Sequence, residues 1–153
     1  MVSIVELATP DPFVLAELNR ILPQLSSSAE PVSLEDFAAL VASESSHLLV
    51  ARNKPGPPAA GESASPLLGC LTLVVFRIPT GVRAWIEDVV VDEAARGQGV
   101  GGRLNLAAIE LAGDLGARTV DLTSRPSRVA ANRLYQRLGF VERKTNIYRY
   151  QGA

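Results

Sequence analysis

Apolar residues recur along this chain with two different periods, and the switches between them mark out its elements. SIVEL near the start reads as a short strand. Thr9-Pro10-Asp11-Pro12 then sets capping residues ahead of proline, which suits a first helical turn because proline's missing N–H needs no partner there. Val14, Leu18, Ile21, Leu22 and Leu25 follow at helical spacing, predicting a helix to about Leu25. SSSAEP breaks it. Ser33 caps a second helix, with Asp36 in its first turn and Leu34, Phe37, Leu40 and Val41 on one face. HLLVAR reads as a buried strand, and NKPGPPAAGESASP as a mobile loop between strands rather than a domain boundary. LLGCLTLVVFRI and VRAWIEDVVV are long strand candidates joined by Pro79-Thr80-Gly81, which predicts an antiparallel hairpin.

Beyond the hairpin the period returns to that of a helix. Leu104, Ala108, Leu111 and Leu115 share a face that Gly116 ends, and ARTVDLTS reads as a strand. Ser127 is the expected cap of a fourth helix carrying Ala131, Leu134, Tyr135 and Leu138 on one face, closed by Gly139. FVER and NIYRY are expected as final short strands. The order β-α-α-β-β-β-α-β-α-β-β contains no internal repeat.

A chain of 153 residues with this pattern is expected to be one domain over residues 1–153, large enough for a real core. Its net charge of −1 lacks the basic excess expected of a nucleic-acid surface. No apolar run approaches the roughly 20 residues that span a bilayer, and MVSIVELATPDPF lacks the layout of a signal peptide. With one cysteine, Cys70, and one histidine, His47, an intrachain disulfide is impossible and a zinc site is disfavoured. The expectation is a cytoplasmic protein with no metal.

The candidate chemistry centres on ARGQGVGGRL. Its G-Q-G-V-G-G spells G-x-G-x-x-G, a dinucleotide fingerprint, and Asp121 follows at about the expected distance of roughly 20 residues. The context argues against that reading. A dinucleotide loop turns sharply off its strand at the start of a doubly wound domain. Here VDEAA intervenes, an antiparallel hairpin precedes, and one further βα unit follows. Parsed from its arginine, the stretch is Arg96-x-x-Gly99-x-Gly101, then Gly102. Glycines admit a ligand close to the backbone, and N–H groups at a helix start converge on an anion. A pyrophosphate fits without any nicotinamide.

WIEDVVVDEAARGQGVGGRL together with AANRLYQRLGF resembles the GNAT superfamily of acetyl-CoA-dependent N-acetyltransferases, over about residues 82–141. IEDVVV is similar to the glucosamine 6-phosphate N-acetyltransferase branch. The resemblance implies an α/β fold of α+β type. In it, a mixed, mostly antiparallel sheet of about six to seven strands is flanked by four helices, with splayed central strands holding the cofactor. It implies that the backbone of Val89, Val90 and Val91 bonds the pantetheine amides. Arg96, Gly97, Gln98, Gly99, Val100, Gly101 and Gly102 would wrap the pyrophosphate. Asn132 would touch the cofactor, and Tyr135 would stand near the thioester sulfur as general acid. Relatives that pair through sheets or C-terminal strands imply a possible homodimer.

The chemistry is consistent with those roles. A phenol with an ordinary pKa of about 10 can protonate a departing thiolate while itself neutral at pH 7. The oxyanion needs a fixed N–H, expected from the strand around Asp88 to Val90. Glu87 is the candidate base and Asp88 the runner-up; strand alternation sends them to opposite faces unless a bulge intervenes. Cys70 in LLGCLTLVV reads as a structural thiol rather than a nucleophile, which favours direct transfer. His47 and Trp85 read as structural. Arg125 and Arg128 are either an anion site or a solvated loop. The expected reaction is acetyl transfer from acetyl-CoA to an amine of a small molecule or peptide; the alternative is a non-catalytic acyl-CoA-binding or regulatory module. SSSAEP and the C-terminal strands would line the acceptor, whose identity stays open.

Overall fold

Asp11 opens the first helix, its carboxylate accepting the Phe13 N–H at 2.9 Å with Pro12 in the first helical position. This helix, α1, spans Pro12–Ile21. It stops short of Leu25 because Pro23 has no N–H for the ladder, and Leu22–Gln24 tighten into a 3-10 turn. Ser33 caps α2 (Leu34–Ala42), its hydroxyl accepting the Asp36 N–H at 3.1 Å. Phe37 is fully buried, whereas Leu34, expected on the same face, is 60% exposed at the first helical position.

The computed structural model describes residues 1–53 and 66–152. The loop expected between the second and third strands lies outside them except for its ends, Asn53 and Pro66. The described chain forms two compact units, divided after Thr123. Among the described residues no helix is long and apolar enough to cross a membrane.

The first unit is built on β1 (Val2–Glu6), β2 (Ser46–Asn53), β3 (Leu67–Ile78), β4 (Gly81–Val91) and β5 (Val120–Asp121). They lie side by side in that order, antiparallel except for the parallel β4–β5 pair. The hairpin closes as expected, with Ile78 opposite Gly81. The expectation of six to seven strands is corrected to five among the described residues. ARTVDLTS pairs only through Val120 and Asp121, and neither FVER nor NIYRY is a strand. Phe140 is consumed in closing a helix, as described below. Glu142, Arg143 and Lys144 then interrupt any apolar alternation.

The helices cover the sheet unequally by face. Leu48, Val50, Cys70 and Val90 pack with Val14, Leu18 and Ile21 of α1 and Phe37 of α2. Leu49, Leu71 and Leu73, with Ala84 and Ile86 beside them in register, form the opposite face, which meets α3 (Val100–Asp114) through buried Leu104, Ala108 and Ala112. Leu115, expected in that stripe, lies just past the helix and is 42% exposed.

Between Glu87 and Val90 the alternation fails. Thr72 faces Glu87 and Cys70 faces Val90, so Asp88 and Val89 together oppose Leu71. This is a β-bulge, and Asp88 takes the left-handed conformation with φ of 49°. Its consequence is a change of side. Ala84 and Ile86 face α3, yet Val90, also an even position, belongs to the α1–α2 cluster.

The second unit holds α4 (Val129–Arg137) followed by a segment without regular structure. Arg128, not the expected Ser127, is its cap residue, and no side chain caps it. At the other end Gly139 has φ of 95°, its N–H bonds Gln136 C=O at 3.1 Å, and the Phe140 N–H bonds Tyr135 C=O at 3.0 Å. That is a Schellman closure, which brings the residue after the glycine back over the last turn.

Candidate active site

The strand that carries IEDVVV has one edge paired along its length and the other largely free. Towards β3 the ladder runs from Gly81 to Val91. Towards β5 it comprises only Ala84 with Val120 and Trp85 with Asp121. Among the described residues, no strand pairs with Ile86–Val91 on that side. An unpaired edge offers a row of N–H and C=O groups to whatever extended molecule lies beside it. Val89, Val90 and Val91 stand on this stretch, just after the bulge.

The chain then turns into the glycine loop. Asp92 caps a 3-10 turn, Glu93–Ala95, accepting the Ala94 N–H at 3.2 Å. Arg96 and Gln98 are exposed, and the Gln98 side chain donates back to Ala94 C=O at 3.2 Å. Gly99 caps α3 in the left-handed conformation with φ of 76° and no side-chain cap. The first helical bond is from the Arg103 N–H to Gly99 C=O at 3.1 Å, so the N–H groups of Val100, Gly101 and Gly102 have no partner within the helix. A Cβ built on Gly97 or Gly99 would meet nothing within 4 Å, so the loop is open on that side. Three orphan donors at the positive end of a helix dipole can cradle an anion.

Glu87 and Asp88 are both exposed, and the bulge replaces the expected simple alternation. Glu87 lies before the bulge, on the α1–α2 face. Its Oε1 accepts the Trp85 indole N–H at 2.8 Å, so Trp85 orients the carboxylate instead of serving as packing alone. Cys70 is 2% exposed, and burial, with the Asp88 charge added, pushes its thiol up to about 12. A group so reluctant to ionise is no nucleophile. His47 Nδ1 lies 2.6 Å from Glu6 Oε1 at the β1–β2 seam, a structural pairing.

In the second unit, Tyr135 is 8% exposed and its ring meets Phe140 edge-on, with centroids 5.8 Å apart at 72°. The Schellman closure explains the spacing of N-x-x-Y-x-x-x-G-F: the glycine turns the chain and the phenylalanine clamps the tyrosine. Burial pushes the Tyr135 phenol above its ordinary pKa, with Arg128 opposing, so it stays protonated at neutral pH. The Asn132 Nδ2 donates to Arg125 C=O at 3.0 Å, holding the turn before α4. Arg125 and Arg128 are exposed. They belong to a markedly basic unit, in which Arg133, Arg137, Arg143, Lys144 and Arg149 are exposed as well and Glu142 is the only acid. The near-zero net charge of the whole chain conceals this skew.

Sequence reasoning missed the ion pairs behind the loop. Asp92 is 7% exposed and is bound by Arg20, which also grips Glu17. The Glu17–Arg20 spacing of one helical turn was visible; their partner 72 residues away was not. Gly69, whose flank lies against the β4 backbone, was missed as well. Among the described residues no three His, Cys, Asp or Glu side chains gather as metal ligands.

The profile of the acetyltransferase (GNAT) family matches residues 12–140. A probable glucosamine 6-phosphate N-acetyltransferase from Oryza sativa subsp. japonica is 36% identical over 129 residues, covering 84% of this chain and 72% of the relative. A putative acetyltransferase from Agrobacterium tumefaciens superposes with a TM-score of 0.78 at 27% identity, covering 97% of this chain and 99% of that one. An aminoglycoside N-acetyltransferase in complex with CoA superposes with a TM-score of 0.76 at 15% identity, covering 100% and 96%. This last likeness concerns the fold alone.

Proposed function

As the chain belongs to the GNAT family and is an N-acetyltransferase, we propose that it transfers the acetyl group of acetyl-CoA directly to a primary amine of a small molecule or peptide. The observation that carries the reading is a free strand edge, Ile86–Val91, running into a helix start with three orphan N–H donors. An extended pantetheine arm ending in a pyrophosphate has the complementary shape and charge. In this reading Val89, Val90 and Val91 bond the arm, and Arg96 through Gly102 hold the pyrophosphate. Asn132 supports the cofactor from α4.

Acetyl-CoA supplies an activated acyl group as its thioester. The amine nitrogen forms a bond to the carbonyl carbon, and the C–S bond breaks. Glu87 takes the proton from the amine, directly or through water, with its carboxylate steered by Trp85. A backbone N–H near the Asp88 bulge steadies the oxyanion. Tyr135 gives its proton to the departing thiolate, a role that its raised pKa and clamped ring suit. The inert Cys70 supports direct transfer over an acyl-enzyme.

The rice relative and the basic second unit support an anionic amine as acceptor, and glucosamine 6-phosphate is the first to assay. The family profile, spanning both units, supports one domain. Exposed Val141, Ile147, Tyr148 and Tyr150 support a homodimer that covers them.

Free-thiol release from acetyl-CoA across an amine panel tests the activity. The Tyr135→Phe variant should lose about a hundredfold in kcat with acetyl-CoA affinity nearly intact. Acetyl-CoA binding without turnover of any amine would leave the non-catalytic module instead, and melting stabilised by NAD but indifferent to acetyl-CoA would remove the proposal altogether.

A further inference from the structure

One guanidinium ties the first helix to the turn that begins the glycine loop. Arg20 Nη1 donates to Asp92 Oδ2 at 2.6 Å, while Nε and Nη2 take the two carboxylate oxygens of Glu17 at 3.1 and 2.9 Å. Nη2 also reaches Leu67 C=O at 3.2 Å, and the Leu67 N–H donates to Glu17 Oε2 at 3.0 Å. Gln24 completes the set. Its Nε2 donates to Asp92 Oδ1 at 3.3 Å, and its Oε1 accepts the Glu93 N–H at 2.9 Å. Helix α1 with its 3-10 turn, the start of β3 and the turn after β4 therefore meet at one point.

The loop beyond that point has little else to hold it. Gly97 and Gly99 have open space where a side chain would be, so neither packs the loop against the body of the protein. Its position is set at its two ends: downstream by the buried Val100 of α3, upstream by Asp92–Ala95. Upstream, Asp92 accepts from Arg20, Gln24 and the Ala94 N–H together. With Arg20 gone, a nearly buried carboxylate loses the cation that pairs with it, and the turn it caps shifts. Two left-handed glycines would pass that shift straight to the N–H cradle.

We propose that Arg20, seconded by Gln24, is a positioning residue for the anion cradle: it fixes the Asp92–Ala95 turn and so aims the N–H groups of residues 96–102. This rests on the reading of the loop as the acetyl-CoA pyrophosphate site. Arg20 touches no reacting group in this scheme and acts through Asp92.

The test compares acetyl-CoA dissociation constants and steady-state rates for the wild type, Arg20→Gln, Arg20→Lys and Gln24→Met. Arg20→Gln should raise the Kd and KM for acetyl-CoA about tenfold or more, with kcat at saturation within about threefold of wild type. Arg20→Lys should recover part of the loss. Gln24→Met, the milder change, should weaken binding about three- to tenfold. Asp92→Asn added to Arg20→Gln should cost little more than Arg20→Gln alone, since both break one link. Wild-type affinity in folded Arg20→Gln or Gln24→Met overturns the proposal. So does a lowered Tm whose rise on adding acetyl-CoA keeps its wild-type size. Failure of the wild type itself to bind acetyl-CoA would instead refute the underlying reading of the loop, and the positioning role with it.

Discussion

Replacing Gly69 by alanine would set a methyl group 2.6 Å from the Val90 carbonyl oxygen and 3.3 Å from both Leu104 Cδ1 and Val91 Cα. Ordinary contact begins near 3.4 Å, so the carbonyl would have to retreat by roughly 0.8 Å or the two strands part. Overpacking of this kind costs about 1–3 kcal/mol. The upper end applies, because the obstacle is backbone within a paired ladder and no side chain can swing aside. Alanine returns about 0.4–1 kcal/mol by restricting the unfolded chain. The net loss of about 2 kcal/mol corresponds to a Tm lower by about 4–8 °C for a chain of this size. The displaced carbonyl belongs to the stretch of β4 whose opposite edge is free, so acetyl-CoA affinity should fall more than the stability loss alone would cause. Thermal melts followed by circular dichroism, with and without acetyl-CoA, measure both effects. A Gly69→Ala protein that melts at or above the wild-type temperature and binds acetyl-CoA unchanged would refute the close-approach argument.

Three further outcomes follow from particular residues. Asp88→Gly relieves a left-handed conformation and should raise Tm by about 2–4 °C, corresponding to about 1 kcal/mol; a fall in Tm would mean that the carboxylate holds the bulge by contacts worth more than the strain. Gly99→Val forces a β-branched residue to φ of 76° at the cap of α3 and should weaken acetyl-CoA binding about tenfold, measured by titration; undiminished affinity would count against the cradle. The folded state raises the Cys70 thiol to about 12 from an unfolded value near 9, so its contribution to stability is complete below pH 9 and is lost as pH rises through 12. Urea unfolding of Cys70→Ala at pH 8 and 10.5 should therefore show a smaller alkaline loss than wild type, and an equal loss would place the titrating group elsewhere.

Much of this protein was legible without its fold because the relevant forces are local. Asp11 and Ser33 cap helices using N–H groups two or three residues ahead, so their role is written in short spacing. The same holds for the glycine loop, whose N–H donors come from consecutive residues, and for Gly139 and Phe140, which close α4 over Tyr135 within a single turn. Those two motifs were enough to indicate an acetyltransferase.

Other features depend on residues distant in sequence, and only the tertiary structure decided them. FVER and NIYRY have the composition of strands but acquire no partner among the described residues, and a strand exists only through its neighbour. The bulge at Asp88 moves Val90 from the α3 face to the α1–α2 cluster, a change of side that no alternation pattern contains. β5 pairs with β4 through Val120 and Asp121, and among the described residues this leaves the rest of that β4 edge free. Arg20 meets Asp92 across 72 residues. Periodicity and capping report a residue's nearest neighbours along the chain, and so the sequence by itself determined the elements and the motifs. Register, the extent of strand pairing and long-range ion pairs report neighbours in space, and these determine whether the motifs become a site.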